Sequence, residues 1–176
     1  KECRDQLDEQ GGLPTRNPEE LLEVFTLLVW AAAALRETDH EPDAELTKAI
    51  EVIAPTLRAL RHADGTLARF HGGGKGIEGR LDHALASSGV KPTPVRGLAM
   101  GYARMTCGRT SVITDVSNPP ATMVSANAHA STLAFELTSA RRPVIVSCGS
   151  GAPFGLAWTR AGRATPSHST LSIDVC

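Results

Sequence analysis

The sequence lacks an excess of positive charge, a long hydrophobic run and any close pairing of cysteines. Its 176 residues carry 18 Lys plus Arg against 19 Asp plus Glu, a formal net charge of −1. A protein built mainly to hold nucleic acid needs a basic excess. The best apolar run, residues 27–35, is half as long as the ~18 residues of a membrane span. The sequence therefore predicts neither a nucleic-acid partner nor a membrane span.

Cysteines and aromatic residues are also scarce. The four cysteines show no C-x-x-C spacing, which excludes a dense disulfide scaffold and argues against a zinc ribbon or a thioredoxin-type site. Trp30 falls in a predicted helix, so Trp158 is the only tryptophan expected to stack on a sugar. Arg160 and Arg163 follow it closely and are candidates for contacting a polyanion. These three residues form the predicted substrate-binding set, with solvated surface arginines as the alternative.

Helical signals dominate the first half of the chain. Asn17 is a typical N-cap, followed by Pro18 at the first helical position and Glu19 and Glu20 in the first turn. Apolar residues then recur at helical spacing, and a second helix is predicted from about Asp43. A short third helix is predicted over residues 78–86. Two helices of about 20 residues joined by a short loop are typical of an antiparallel hairpin, which needs another surface to pack on.

The second half changes to a period of two. Alternating residues predict short strands around positions 98–103, 112–116, 133–137, 144–146 and 169–176, with turns between them. The expected fold class is α+β: a helical segment over residues 1–90, followed by an antiparallel β-sandwich over residues 95–176. The chain starts at Lys1 and stops inside a predicted strand, so we expect a piece of a longer protein.

Three polar residues at strand boundaries are candidates for a site. His129 and His168 each precede a predicted strand, and Ser147 closes another. Histidines at strand beginnings can meet at one end of a sandwich, where imidazole suits zinc. The alternative is that both histidines are unrelated surface or capping residues.

Three segments resemble the heparinase II/III-like family of polysaccharide lyases and their relatives. They are residues 128–137, residues 144–149 and the run "RATPSHSTL" at 163–171; the helical half ends in "LRHADGTLARFHGGG" at 60–74. The resemblance is loose over the rest of the chain. It implies the end of an α/α toroid followed by the family's β-sandwich.

The resemblance also implies β-elimination on a uronate-containing acidic polysaccharide. A base removes the proton beside the carboxylate, polar groups neutralise its charge, and an acid assists the leaving oxygen. Carried over to this sequence, His129 and His168 match two zinc ligands, and the third position holds Ser147, a poor zinc ligand. Asn127 stands where lyases can carry a catalytic histidine and is a candidate carboxylate-neutralising amide. Tyr102, the only tyrosine, is the remaining catalytic candidate, with a packing role as its alternative.

Two other functions stay open at this point. A non-catalytic carbohydrate-binding or structural module of the same fold is favoured by Asn127 and Ser147 at positions where lyases carry catalytic and metal-binding groups. An interaction fragment, paired with the upstream part of the same protein or with a second copy, is suggested by the abrupt ends. The resemblance implies a periplasmic location, and a cytoplasmic location stays open.

Overall fold

In this computed structural model, residues 7–173 are described. Their helices are α1 (Pro18–Glu37), α2 (Ala44–Ala59), α3 (Arg80–Ser87) and α4 (Leu156–Arg163). The strands are β1 (Tyr102–Cys107), β2 (Thr110–Asp115), β3 (Phe135–Ser139) and β4 (Arg142–Ile145). The α+β class is therefore confirmed.

The first two helices begin where their caps predict. The Asn17 side chain accepts the backbone N–H groups of Glu19 and Glu20, at 3.0 and 3.3 Å. Asp43 accepts the N–H of Leu46 at 2.6 Å and starts α2. Each cap satisfies donors that the first turn leaves without a helical partner. The two helices pack against each other, with their apolar faces in the core.

The four strands form one antiparallel sheet in the order β1-β2-β3-β4. Ile113 on β2 pairs with Glu136 on β3, and Tyr102 on β1 pairs with Asp115. A register shift between Leu137 and Thr138 marks the pairing of β3 with β4. Each strand is thus next to its sequence neighbour, as short turns dictate.

The buried face of the central strands is mostly polar. Along β2 and β3 the alternate buried positions hold Ile113 and four polar residues: Ser111, Asp115, Glu136 and Thr138. The apolar alternates Val112, Phe135 and Leu137 lie half-buried on the opposite face, because successive strand residues point to opposite sides. Buried charges need partners, and these partners come from the helical half.

One hydrophobic core joins the helices to the sheet. It contains Phe25 and Leu57 from the first two helices together with Tyr102 and Ile113 from the strands. Phe70, in the segment after α2, stacks on Tyr102 with ring centroids 4.7 Å apart. The proposed boundary at residues 90–95 falls between α3 and β1 and stays a prediction.

Two strand predictions need correction. The first strand starts at Tyr102, because Met100 and Gly101 have positive φ angles of 52° and 81° and form a turn. The strand predicted at 169–176 is wrong for residues 169–173, which have no strand structure; residues 174–176 lie outside the described part. Residues 7–173 contain one sheet, so the sandwich and the toroid stay predictions.

Candidate functional site

A buried carboxylate at the end of β2 holds the helical half against the sheet. Asp115 accepts hydrogen bonds from the Arg16 guanidinium at 2.5 Å and from Nε2 of His71 at 3.2 Å. The Nδ1 atom of His71 accepts the backbone N–H of His129 at 3.2 Å. The ring proton therefore lies on Nε2, where it faces the carboxylate. Asp115 thus fixes the segment before α1 and the segment after α2 at one point.

A second buried carboxylate, on β3, makes a parallel connection. Glu136 lies 2.7 Å from Nε2 of His62, and Thr138 contacts the other ring nitrogen at 3.0 Å. The second carboxylate oxygen accepts the backbone N–H groups of Ser147 and Arg69, at 2.9 and 3.3 Å. Each of its two oxygens therefore has a partner, as a fully buried carboxylate requires.

Tyr102 is a packing residue in this arrangement. Its ring is buried between Phe70 and the Arg16 guanidinium, and its hydroxyl donates to the backbone carbonyl of Arg16 at 2.5 Å. Burial raises the pKa of Tyr102 well above its ordinary value. A phenol that is buried, protonated and already donating is not placed to abstract a proton from a substrate.

His129 and His168 come together although 39 positions separate them in the sequence. Their ring centroids are 5.2 Å apart, with the planes tilted by 56°. Burial, followed by the nearby His168 and His71, lowers the pKa of His129 to about 4. Burial also lowers the pKa of His168. The two rings therefore lie next to each other, and the lowered pKa values favour neutral rings at pH 7.

Between residues 129 and 168, five buried polar side-chain atoms have no hydrogen-bond partner among the described residues. They are the hydroxyl oxygens of Ser131 and Ser147, Nδ1 of His129 and both ring nitrogens of His168. Ser131 follows His129 by two positions in the chain, and the backbone N–H of Ser147 is held by Glu136. Buried polar atoms without a partner are uncommon, and the histidine pair supplies three of these five.

The residues present do not fit a zinc ion of the kind that the resemblance implies. Zinc in proteins is held by three or four ligands drawn from cysteine, histidine and carboxylate side chains. His129 and His168 supply two imidazoles, but Ser147 offers a neutral hydroxyl. Residues 7–173 contain no group of three His, Cys, Asp or Glu side chains that could hold a metal.

Asn127 and Arg163 both lie close to the segment that carries His129. Asn127 is exposed beside the turn at Gly72, where an added Cβ would come within 3.4 Å of the Asn127 carbonyl. The Arg163 guanidinium donates to the carbonyl of Ala128 at 2.9 Å, so this arginine braces the His129 segment. Arg160 is exposed on α4. Among residues 7–173, Asn127 is therefore the predicted site residue beside the histidine pair whose side chain has no hydrogen-bond partner.

Trp158 lines an apolar cleft near this end of the molecule. The indole is 62% exposed and packs edge-on against Phe154, with centroids 6.3 Å apart. The cleft has a volume of about 390 Å³. We call it the aromatic cleft; its lining residues are Cys148, Gly149, Ser150, Gly151, Phe154, Trp158, Ala161, Gly162 and Ser167.

Sequence reasoning missed the roles of Asp115, Glu136, His62 and His71. The first two occupy buried alternate positions of their strands, and a charged residue at such a position is the signal that could have revealed them. The two histidines fall within the family-like run at 60–74, but that run gives no indication of their partners.

The sequence profile of the heparinase II/III-like C-terminal family matches residues 90–175. This part of the chain belongs to that family. The matched residues include all four strands and both His129 and His168. In residues 7–173, no helix is long and apolar enough to cross a bilayer.

The chain is also similar to several longer proteins. It is 33% identical over 164 residues to FtsZ-localized protein C of Caulobacter vibrioides (strain NA1000 / CB15N), covering 93% of the chain and 28% of that protein. A crystal structure of a mutant of the heparan sulfate lyase HepC from Pedobacter heparinus matches with TM-score 0.76, at 15% identity and over 97% of the chain and 31% of the lyase. A heparinase III crystal structure matches with TM-score 0.73, at 14% identity and over 98% of the chain and 33% of the other. The chain therefore spans about a third or less of each.

Proposed function

We propose that this chain is a non-catalytic binding and structural part of a protein that has no lyase activity. The observation that carries the proposal is the state of Tyr102. The only tyrosine of the chain is buried, its hydroxyl donates a hydrogen bond to the carbonyl of Arg16, and its pKa is raised. It therefore packs in the core and is not placed to transfer a proton. The other catalytic candidate, Asn127, has an amide, which neither takes nor gives a proton at neutral pH.

The histidine pair supports the same proposal. General acid–base catalysis works best with a group whose pKa lies near the working pH. His129, with a pKa of about 4, is a weak base and is almost wholly unprotonated at pH 7. Ser147, at the expected third ligand position, offers only a hydroxyl. His129, His168 and Ser147 therefore supply neither an effective acid–base catalyst nor a complete zinc site.

The similarity to FtsZ-localized protein C suggests where in the cell the protein acts. That relative is named for its localisation with FtsZ, and its similarity covers 93% of this chain. We infer that the present protein is also a component of an FtsZ-containing assembly. A fluorescent fusion of the full-length protein, imaged in dividing cells, tests this: a band at the division site is expected, and a uniform distribution contradicts it.

The second candidate is a lyase that acts on an acidic polysaccharide by β-elimination. The specific observation in its favour is the TM-score of 0.76 to a heparan sulfate lyase over 97% of the chain. In that case the toroid and sandwich would be completed by the rest of the protein. Asn127 would neutralise the substrate carboxylate, and Trp158, Arg160 and Arg163 would contact the polysaccharide.

An ultraviolet assay for unsaturated uronate separates the two candidates. The full-length protein is incubated with heparan sulfate, chondroitin sulfate and alginate, beside a lyase known to cleave each one. The binding proposal predicts no product above the buffer blank. Product from the full-length protein overturns it in favour of the lyase, and Asn127→Ala then tests the amide by its effect on kcat.

A further inference from the structure

The aromatic cleft is held open by close backbone packing. A Cβ added at Gly151 would overlap the carbonyl of Trp158, and one added at Gly162 would lie 3.2 Å from the carbonyl oxygen of Gly149. The segment 149–151 therefore sits directly on the backbone of α4. Because no side chain separates this segment from α4, the backbone contact fixes the Trp158 indole relative to residues 149–151. Such a preformed cavity binds without the cost of ordering.

The cleft presents large apolar side chains to solvent. Phe154 is 76% exposed and Trp158 is 62% exposed; Leu156, at the start of α4 and outside the cleft lining, is 69% exposed. Aromatic residues at the edge of a concave pocket are typical anchors of protein interfaces. The free molecule thus leaves apolar surface uncovered in a place shaped to receive a side chain.

Two arginines lie close to the cleft. Arg160 is exposed on α4 itself, and the Arg69 side chain passes beside Gly149, where an added Cβ would lie 3.8 Å from its Cδ. The carboxylates of the neighbouring segments, Glu136 and Glu19, accept backbone N–H groups of Arg69 and Gly74. The charge complementary to the guanidinium groups of Arg160 and Arg69 is negative.

We propose that the aromatic cleft binds an acidic peptide segment of a partner protein. One aromatic or large aliphatic side chain of the peptide enters the cleft beside Trp158, and its Asp or Glu neighbours face Arg160 and Arg69. The inference rests on the proposed binding function and specifies its site and the chemistry of its partner.

The lining favours a peptide over a sugar or a bilayer. A sugar ring needs several hydrogen bonds from fixed polar side chains, but the cleft offers only the hydroxyls of Ser150 and Ser167 and the thiol of Cys148. A membrane surface is met by protruding apolar side chains on a convex face. A concave cleft of about 390 Å³ instead suits one inserted side chain.

Selection from a random twelve-residue peptide library displayed on phage tests the proposal with the full-length protein. Selection on wild-type protein is compared with selection on Trp158→Ala, and Trp30→Ala is the matched control because Trp30 is an exposed indole on α1. We expect enriched peptides with an aromatic or aliphatic residue flanked by Asp or Glu. Affinity should fall at least tenfold in W158A, fall several-fold in Arg160→Glu and stay unchanged in W30A. Basic peptides, or equal enrichment on W158A, overturn the proposal.

Direct binding separates the competing partners. Heparan sulfate and vesicles with anionic lipid are titrated onto the full-length protein, with W158A and W30A compared with wild type. If heparan sulfate or the vesicles bind more weakly to W158A alone, and acidic peptides do not bind, the cleft is a sugar or membrane site and the peptide proposal is wrong. A uronate product in the lyase assay overturns the proposed function itself. Failed peptide selection without product overturns only the assignment of the cleft.

Discussion

Nε2 of His62 lies 2.7 Å from the carboxylate of Glu136, and both side chains are buried at the boundary between the helices and the sheet. The two residues are 74 positions apart in sequence. Together with the Arg16–Asp115–His71 group, they add directional polar contacts to the hydrophobic core that joins the helices to the sheet. Polar pairs of this kind fix relative orientation, because each bond tolerates only a narrow geometry.

Removing the Glu136 carboxylate should therefore be costly. Glu136→Ala leaves His62 and the backbone N–H groups of Ser147 and Arg69 without their acceptor in a buried site. We expect the free energy of unfolding to fall by about 3–5 kcal/mol, the usual cost of breaking a buried pair. Urea titration followed by circular dichroism measures the change.

Glu23→Ala is the matched control for that experiment. Glu23 lies on an exposed position of α1, so the change should stay within about 0.5 kcal/mol of wild type. Equal stability of the Glu136 and Glu23 variants would contradict the structural role assigned to the Glu136 carboxylate.

Tyr102→Phe should act on stability and leave catalysis alone. It removes the hydrogen bond to the Arg16 carbonyl and keeps the ring stacked on Phe70, so we expect a loss of about 1–3 kcal/mol. If the full-length protein has any lyase activity, its kcat should be unchanged in this variant. A fall in kcat of a hundredfold or more, with normal thermal stability, would instead make Tyr102 catalytic.

Local signals made the helical half predictable. The caps at Asn17 and Asp43 act within three residues of themselves, so their effect can be read from the sequence alone. The buried ionic groups could not be predicted in this way. Arg16 and Asp115 are 99 positions apart, and the partner of a buried charge is defined only after the sheet has packed on the helices. The pairing of His129 with His168 was anticipated from their positions before predicted strands and from the resemblance.

The wrong terminal strand has a similar cause. Alternation of Leu171 and Ile173 with polar residues fits a strand, but a strand also needs a neighbour for its backbone hydrogen bonds. No described strand pairs with this segment, in which Leu171 and Ile173 are exposed and Thr170 donates its hydroxyl to the carbonyl of Thr132. The segment thus has the alternation of a strand but no neighbouring strand with which to pair.

The stability of the protein should fall between pH 6.5 and pH 4 because of His129. The folded protein keeps this ring neutral down to a pKa of about 4, whereas the unfolded chain protonates it near pH 6.5. Protons therefore favour the unfolded state as the pH falls through this window. The contribution is up to roughly 3 kcal/mol.

His129→Gln should flatten the pH dependence of stability, and His83→Gln, on an exposed position of α3, should not. Urea titrations at several pH values provide the test; an unchanged slope in H129Q contradicts the assignment.

Ser147→Asp should create a zinc site where the natural residues do not complete one. The carboxylate would join His129 and His168 as a third ligand of a type that zinc prefers. Without metal, the new charge lies near Glu136, whose carboxylate holds the Ser147 N–H at 2.9 Å, so the variant should be destabilised by like-charge repulsion. Zinc should restore the stability, raising Tm in S147D but not in wild type or Ser147→Asn.

Metal analysis after dialysis should give about one zinc per chain in S147D, and the triple combination with both histidines changed to Ala should give none. Stoichiometric zinc in the wild-type protein, or none in S147D, would show that the ligand positions are not those inferred here.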